Sequence, residues 1–322
     1  MNQQSFENGN RERWNEIDRL TQRLHKKRTL PEAAQLPSLY RQLCADISLA
    51  QHRMYGARLC GELNERLIRV RQVLARPDER SGRGFARLMV HDFPRAVRRD
   101  ARLFWLAMLL FFGPLILMVM ASYWEPRWIF SVLGPEETRM MDGMYGKDDP
   151  TEFMRGEFGS DFGMFGFYVM NNISIGLRIA GAGLLAMVGA MFQLGYQGAV
   201  IGAMEGYVHY AGNTERFYAF VAGHAAFELV GIVICGMAGM RLGQAVLKPG
   251  RLSRGAALAF AGRRALPLIY GGVLLIFFAA FIEGFWSAGP ADPQVKYAVG
   301  ILNALILTLY LTLCGRKGGD EA

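Results

Sequence analysis

Residues 103–123 read LFWLAMLLFFGPLILMVMASY, twenty-one positions without a formal charge. About 20 apolar residues in a helix cross the hydrocarbon core of a bilayer, so this stretch is a membrane span and sets the fold class. Arg83, Arg87, Arg95, Arg98, Arg99 and Arg102 precede it, and Trp124 and Trp128 follow it. Arginines beside a span fix its cytoplasmic end and bind anionic lipid headgroups, while tryptophans anchor an interface.

Working outward, the 322 residues divide into two regimes that a 52% hydrophobic composition averages together. Charges recur at almost every turn up to Arg102, and long apolar stretches alternate with short polar ones after it. The expected spans are 103–123, 167–194, 195–211, 217–247, 266–285 and 297–314. Between the first two, residues 124–166 carry nine acids and four bases and form an acidic external loop. Lys248, Arg251, Arg254, Arg263 and Arg264 lie in the linker after the fourth span, and Arg316 and Lys317 follow the last. The loops near 212–216 and 286–296 hold one base each, Arg216 and Lys296. With lysine and arginine concentrated inside, six spans with both termini cytoplasmic satisfy the charge rule. The fold class is therefore all-α, a polytopic membrane helix bundle (about six transmembrane helices in 103–315) with a helical cytoplasmic N-terminal domain (1–102) and a short tail (316–322). Whether 167–194 and 195–211 cross fully or form a re-entrant pair stays open.

In the N-terminal region, residues 1–10 read as disordered. Trp14, Ile17, Thr21 and Leu24, then Leu36, Leu39, Tyr40, Leu43 and Ile47, then Leu59, Leu63, Leu67, Val70 and Leu74 mark three amphipathic helices, the last stopped near Pro77. Phe85, Leu88, Met89, Phe93 and Val97 form an apolar stripe among arginines, with a kink expected at Pro94, and read as a helix on the inner membrane surface. The formal charge of +8 sits mainly beside the first span and is unaccompanied by a nucleic-acid reading motif, which argues against nucleic acid as a partner. Cys44, Cys60, Cys235 and Cys314 lack CxxC spacing and read as reduced thiols. No cleavable signal peptide is expected, so the first span directs insertion.

Ionisable groups within spans are costly in hydrocarbon and usually face the bundle interior. Here they are Arg178, Glu205, His209, His224, Glu228 and Glu283, with Asn171 and Asn172 at the same depth in the outer half. Glu205 and His209 are four apart, as are His224 and Glu228, so each pair shares a helix face. On antiparallel neighbours the two pairs converge into an acceptable zinc-ligand set, Glu205, His209, His224 and Glu228, or into a proton or cation relay. The alternative is a buried structural network in which Arg178 neutralises a carboxylate, with His209 and Glu283 reaching the aqueous edge. Gly198, Gly202 and Gly206, and Gly239 with Gly243, recur at every fourth position and suit close helix packing, within the bundle or between two copies of the chain. No HExxH, GxSxG or phosphate-binding loop occurs, and no triad accompanies Ser174, so the reading leans away from an enzyme and expects no cofactor.

Gly223-His224-Ala225-Ala226-Phe227-Glu228-Leu229, followed by Gly236-Met237-Ala238-Gly239-Met240-Arg241-Leu242-Gly243, resembles the His-Gly-x-x-Glu-Leu helix and glycine-rich continuation of the stage II sporulation protein M family. Asn171-Asn172 and Gln197-Gly198-x-x-x-Gly202 are similar to the family's paired Asn and Asn-Gly signatures, with Ala225 and Gln197 standing where the family has Gly and Asn. Leu39-Tyr40-Arg41, Leu63-Asn64 and Phe93-Pro94-x-x-x-Arg98 resemble the cytoplasmic extension of the longer, Gram-negative-type members. The resemblance implies a bacterial inner-membrane scaffold or assembly component of an envelope complex. Longer members are typically encoded beside a MoxR-type AAA+ ATPase and associated envelope proteins, which the resemblance therefore implies as partners. The N-terminal helices are expected to dock a cytoplasmic partner, and the arginines and glycine stripes point to membrane lipids and a second copy of the chain. The spans leave two alternatives beside it: a transporter or channel using the Glu/His/Arg cluster, and an intramembrane metal-dependent hydrolase.

Overall fold

A computed structural model describes residues 2–26, 35–74, 81–146, 156 and 158–316. Among these residues the ordered elements are all helical, and the chain divides into two units, Met1–Gly84 and Phe85–Ala322.

The first unit packs α1 (Gln3–Lys26), α2 (Leu36–His52) and α3 (Ala57–Leu74) around Ile17, Leu43, Leu63 and Val70, all fully buried. The Asp46 carboxylate lies at this core and accepts from Trp14 Nε1 at 2.9 Å and from Arg13 Nη2 at 2.6 Å. Asp18 on α1 accepts from Arg66 and Arg69 of α3, at 3.0 and 3.1 Å. The N-terminal residues differ from expectation: helix begins at Gln3 rather than after residue 10. Phe6 supplies the reason, because its ring is buried against Trp14 and Tyr55, and Gln3 Oε1 accepts from Gly56 N at 2.9 Å. The stop expected at residues 29–31 and the one near Pro77 lie outside the described residues.

Helix α4 (Ser81–Arg87) crosses the boundary between the units, which falls earlier than the expected edge at residue 102. The stretch 85–102 belongs with the membrane helices. A single π-type turn, Leu88–Asp92, widens the backbone just before Pro94, whose missing N–H and ring disfavour a regular turn there. Helix α5 (Phe93–Arg99) then presses the Phe93 ring onto Gly271, where any Cβ would collide with it. Arg98 donates to the carbonyls of Leu311 (2.5 Å) and Cys314 (2.6 Å), tying this segment to the end of the last helix.

The remaining helices are α6 (Ala101–Trp124), α7 (Pro135–Tyr145), α8 (Asp161–Ala182), α9 (Val188–Tyr210), α10 (Thr214–Val221), α11 (Ala225–Leu247), α12 (Arg254–Ile282) and α13 (Pro293–Leu313). Starts carry their own caps: Ser160 Oγ accepts from Gly163 N, Ser253 Oγ from Ala256 N, and Asp292 Oδ1 from Gln294 N ahead of Pro293. Four helices among the described residues are long and apolar enough to cross a membrane: α6, α11, α12 with the turn that ends it, and α13. Only 17% of the apolar window in α6 and 11% of that in α13 is buried by protein. Helix surfaces that apolar and that uncovered require lipid around them. In α8 and α9, Asn171, Asn172, Arg178, Gln193, Gln197 and Glu205 interrupt the apolar pattern.

Helix α11 is the hub, buried continuously from Gly231 to Met240. The chain reverses between α8 and α9 at 183–187, with positive φ at Ala186 (51°) and Met187 (68°), not at the expected 194/195 junction. The surface of α11 selects this position. A Cβ on Gly239 would stand 2.8 Å from Ile179 O and 2.9 Å from Ala180 O, and one on Gly243 would strike the backbone of Met187. Gly198, Gly202 and Gly206 of α9 face α6, meeting the carbonyls of Phe111 and Leu115 and the side chain of Ser122. This glycine stripe lies inside the chain's own bundle.

Candidate functional site

His224 is the residue just before α11 and Glu228 lies one turn inside it, so the i,i+4 spacing does place both on one face. Glu283 opens a π-type turn, Glu283–Ser287, that ends α12. Such wide turns occur often at functional positions, and this one brings both Glu283 and Ser287 to His224. Imidazole Nε2 stands 3.8 Å from Glu228 Oε2 and 3.9 Å from Glu283 Oε1, while Nδ1 and Ser287 Oγ are hydrogen-bonded at 2.9 Å. One ligand atom from each of His224, Glu228 and Glu283 lies within 4.8 Å of the other two. His224, Glu283 and Ser287 are buried. Glu283 therefore sits inside the bundle, and not at the aqueous edge that the alternative reading allowed.

Asn171 and Asn172 lie beside this group: Asn171 Nδ2 donates to Asn172 Oδ1 at 2.8 Å, and Asn172 Nδ2 donates to Glu283 Oε2 at 3.4 Å. Arg178 does not join it. Its side chain is exposed on α8, and it forms no ion pair among the described residues. Glu205 and His209 form a separate group around Tyr218 of α10, whose hydroxyl donates to Glu205 Oε1 (2.5 Å) and stands 3.0 Å from His209 Nε2. The four-residue ligand set Glu205, His209, His224 and Glu228 is thus divided between two neighbouring clusters, and Glu283 takes the place of the first pair.

A cavity of about 630 Å³ connects the clusters, lined among others by Tyr145, Glu205, Tyr218, His224, Glu228 and Glu283. Tyr145 reaches it from α7, so part of the acidic loop folds over the site. Burial, with the charges of Glu283 and Glu228 nearby, holds its phenol above the ordinary range, so it faces the acids as a neutral group. Tyr168 of α8 is also close to Glu283, Tyr145 and Glu228, and its buried hydroxyl has no hydrogen-bond partner. Among the described residues no lysine or arginine pairs with Glu228 or Glu283. Lys296 instead donates to the carbonyls of Ser287 (2.7 Å) and Gly289 (2.8 Å). Such an arrangement has the chemistry to hold a proton or a cation. Sequence reasoning missed Tyr145, Tyr168 and Ser287, because none lies at a fixed spacing from the charged pairs.

Residues 103–288 match the family model for Stage II sporulation protein M, and residues 4–76 match one for a domain of unknown function (DUF8413). No curated protein and no solved structure matches the chain.

Proposed function

We propose that this chain, which belongs to the stage II sporulation protein M family and is an integral membrane protein, is a scaffold of the bacterial inner membrane whose N-terminal unit docks a cytoplasmic partner. In this reading α8 and α9 also cross, which makes six spans, and the arginines ahead of α6 hold both termini in the cytoplasm. The observation that carries the docking role is the first unit itself. Residues 1–84 cluster separately from the membrane helices and bury a core of their own around Leu43 and Leu63, and residues 4–76 within them match a different family model. A domain with its own core presents a fixed surface, which suits recognition of a folded partner. The partner we assign is the MoxR-type AAA+ ATPase that the family resemblance implies.

Deleting residues 1–80 is expected to abolish capture of the purified ATPase by the membrane-reconstituted protein, while the remaining chain still inserts. Equal recovery with the truncated and full-length chains would sink the docking role.

A second reading rests on the cavity beside Glu205, His224, Glu228 and Glu283, which suits passage of an ion or small solute. In proteoliposomes Glu228→Gln is expected to lose most of the flux that wild type shows. Identical traces from the two proteins remove this reading.

A further inference from the structure

We propose that His224, Glu228 and Glu283 form a binding site for a divalent transition metal of the zinc type, with a fourth coordination position turned toward the cavity. The proposal stands apart from the docking role and requires no transport.

Donor geometry is the first argument. At 3.8 and 3.9 Å the imidazole Nε2 is too far from either carboxylate to hydrogen-bond with it, yet all three donors converge within 4.8 Å. Around tetrahedral zinc, neighbouring ligand atoms are about 3.3 Å apart, so closure of about 0.5 Å between the imidazole and each carboxylate, and of up to about 1.5 Å between the two flexible glutamates, completes the arrangement. Three protein ligands with one open position is a common plan for zinc sites that bind a further ligand.

Charge is the second. Two carboxylates stand together in the membrane bundle with no lysine or arginine paired to either among the described residues, and Lys296 spends its hydrogen bonds on carbonyls. A dication with two carboxylates and a neutral imidazole makes a neutral complex, which avoids the cost of an isolated buried charge. The imidazole also selects the class of metal. Magnesium and calcium take oxygen ligands, whereas nitrogen with carboxylate oxygen suits zinc and its transition-metal neighbours.

The surrounding shell supplies the third argument. Ser287 Oγ holds Nδ1 of His224 and thereby points Nε2 at the carboxylates, and Asn172 steadies Glu283. Metal-ligating histidines and carboxylates are oriented in this way by outer partners. Tyr168 of α8 adds a further observation: the residue is 96% buried and its hydroxyl is unpartnered. An orphaned buried hydroxyl is a group that a bound water or ligand oxygen satisfies.

The test uses the full-length protein in detergent, stripped with a chelator and then supplied with Zn²⁺ alone. Elemental analysis is expected to find about one zinc per chain for wild type and for Glu205→Gln. Glu283→Gln and His224→Ala should fall to background, and Ser287→Ala should weaken binding by roughly 10–100-fold as an outer-partner change. Cobalt in place of zinc should give the visible absorption bands of a tetrahedral site, and excess Mg²⁺ should not displace it. A wild-type protein that retains no zinc and gives no cobalt bands overturns the proposal, and the two carboxyls are then a proton-sharing pair. Stoichiometric zinc that persists in both Glu283→Gln and His224→Ala overturns it as well. Both wild-type readouts remain decisive if a variant fails to fold.

Discussion

Replacing Gly198 with leucine is expected to keep α9 from seating on α6 and to remove about 3 kcal/mol or more of bundle stability. The estimate lies at the upper end of overpacking costs because of what the new side chain meets. A Cβ at position 198 runs into the carbonyl of Phe111, part of a helix backbone that has no alternative rotamer. Gly202 meets the Leu115 carbonyl in the same way, and at Gly206 a Cβ would lie 2.6 Å from that of Ser122. The helices must separate along their shared length, which also exposes the buried side chains of Phe111 and Leu194. Unfolding of the detergent-purified protein, followed by tryptophan fluorescence or by loss of the monodisperse peak on heating, measures the effect. Gly181→Ala is the comparison, because nothing stands within 4 Å of a Cβ there. A Gly198→Leu protein that melts with wild type would show that this helix pair is looser than its geometry implies.

Trp14→Ala should have the largest effect in the N-terminal unit. The indole is buried, packs edge-on to Phe6, and donates to Asp46. Truncating a buried tryptophan costs about 3–5 kcal/mol, and here it also takes a donor from a buried carboxylate. Around 4 kcal/mol lowers the ratio of folded to unfolded unit by about three orders of magnitude, a large share of what a small domain has. Limited trypsin digestion of the full-length protein reads this directly, because α1–α3 are dense in arginine. The variant should lose its N-terminal fragment at protease concentrations that leave wild type intact, while Met54→Ala, at a side chain 91% exposed, should not. Matching digestion of the Trp14→Ala and wild-type chains refutes the assignment of that core.

These two sites differ in how plainly the sequence announced them. The helix-period stripe through Trp14, Ile17, Leu43 and Leu63 marked the first core, and the uninterrupted run at 103–123 marked α6. The pairing of His224 with Glu228 was also legible, since a spacing of four on a helix is enough to place both on one face. Other features depend on neighbours that spacing cannot show. Gly181, Gly183, Gly189 and Gly195 all permit a reversal, and only the glycine face of α11 selects 183–187. Arg178 shares a helix with Asn172, but six residues at about 100° each carry it some 240° around the axis, away from the acids. Glu205 and His209 do share a face, as their spacing requires, yet Tyr218 of α10 engages both before either reaches His224. The inclusion of Glu283 depends on a π-type turn, which has no reliable sequence signature.

The double hydrogen bond from Arg98 to the carbonyls of Leu311 and Cys314 also has a meaning in time. Synthesis runs from the N-terminus, so α5 emerges more than two hundred residues before its partners exist. Tyr310, which donates to Met89 O, is equally late. Every earlier helix can insert and pair while α5 still lacks these contacts, and the latch engages only when the final turn of α13 has left the ribosome. The bundle therefore has a built-in completion step, in which an early element waits for the last.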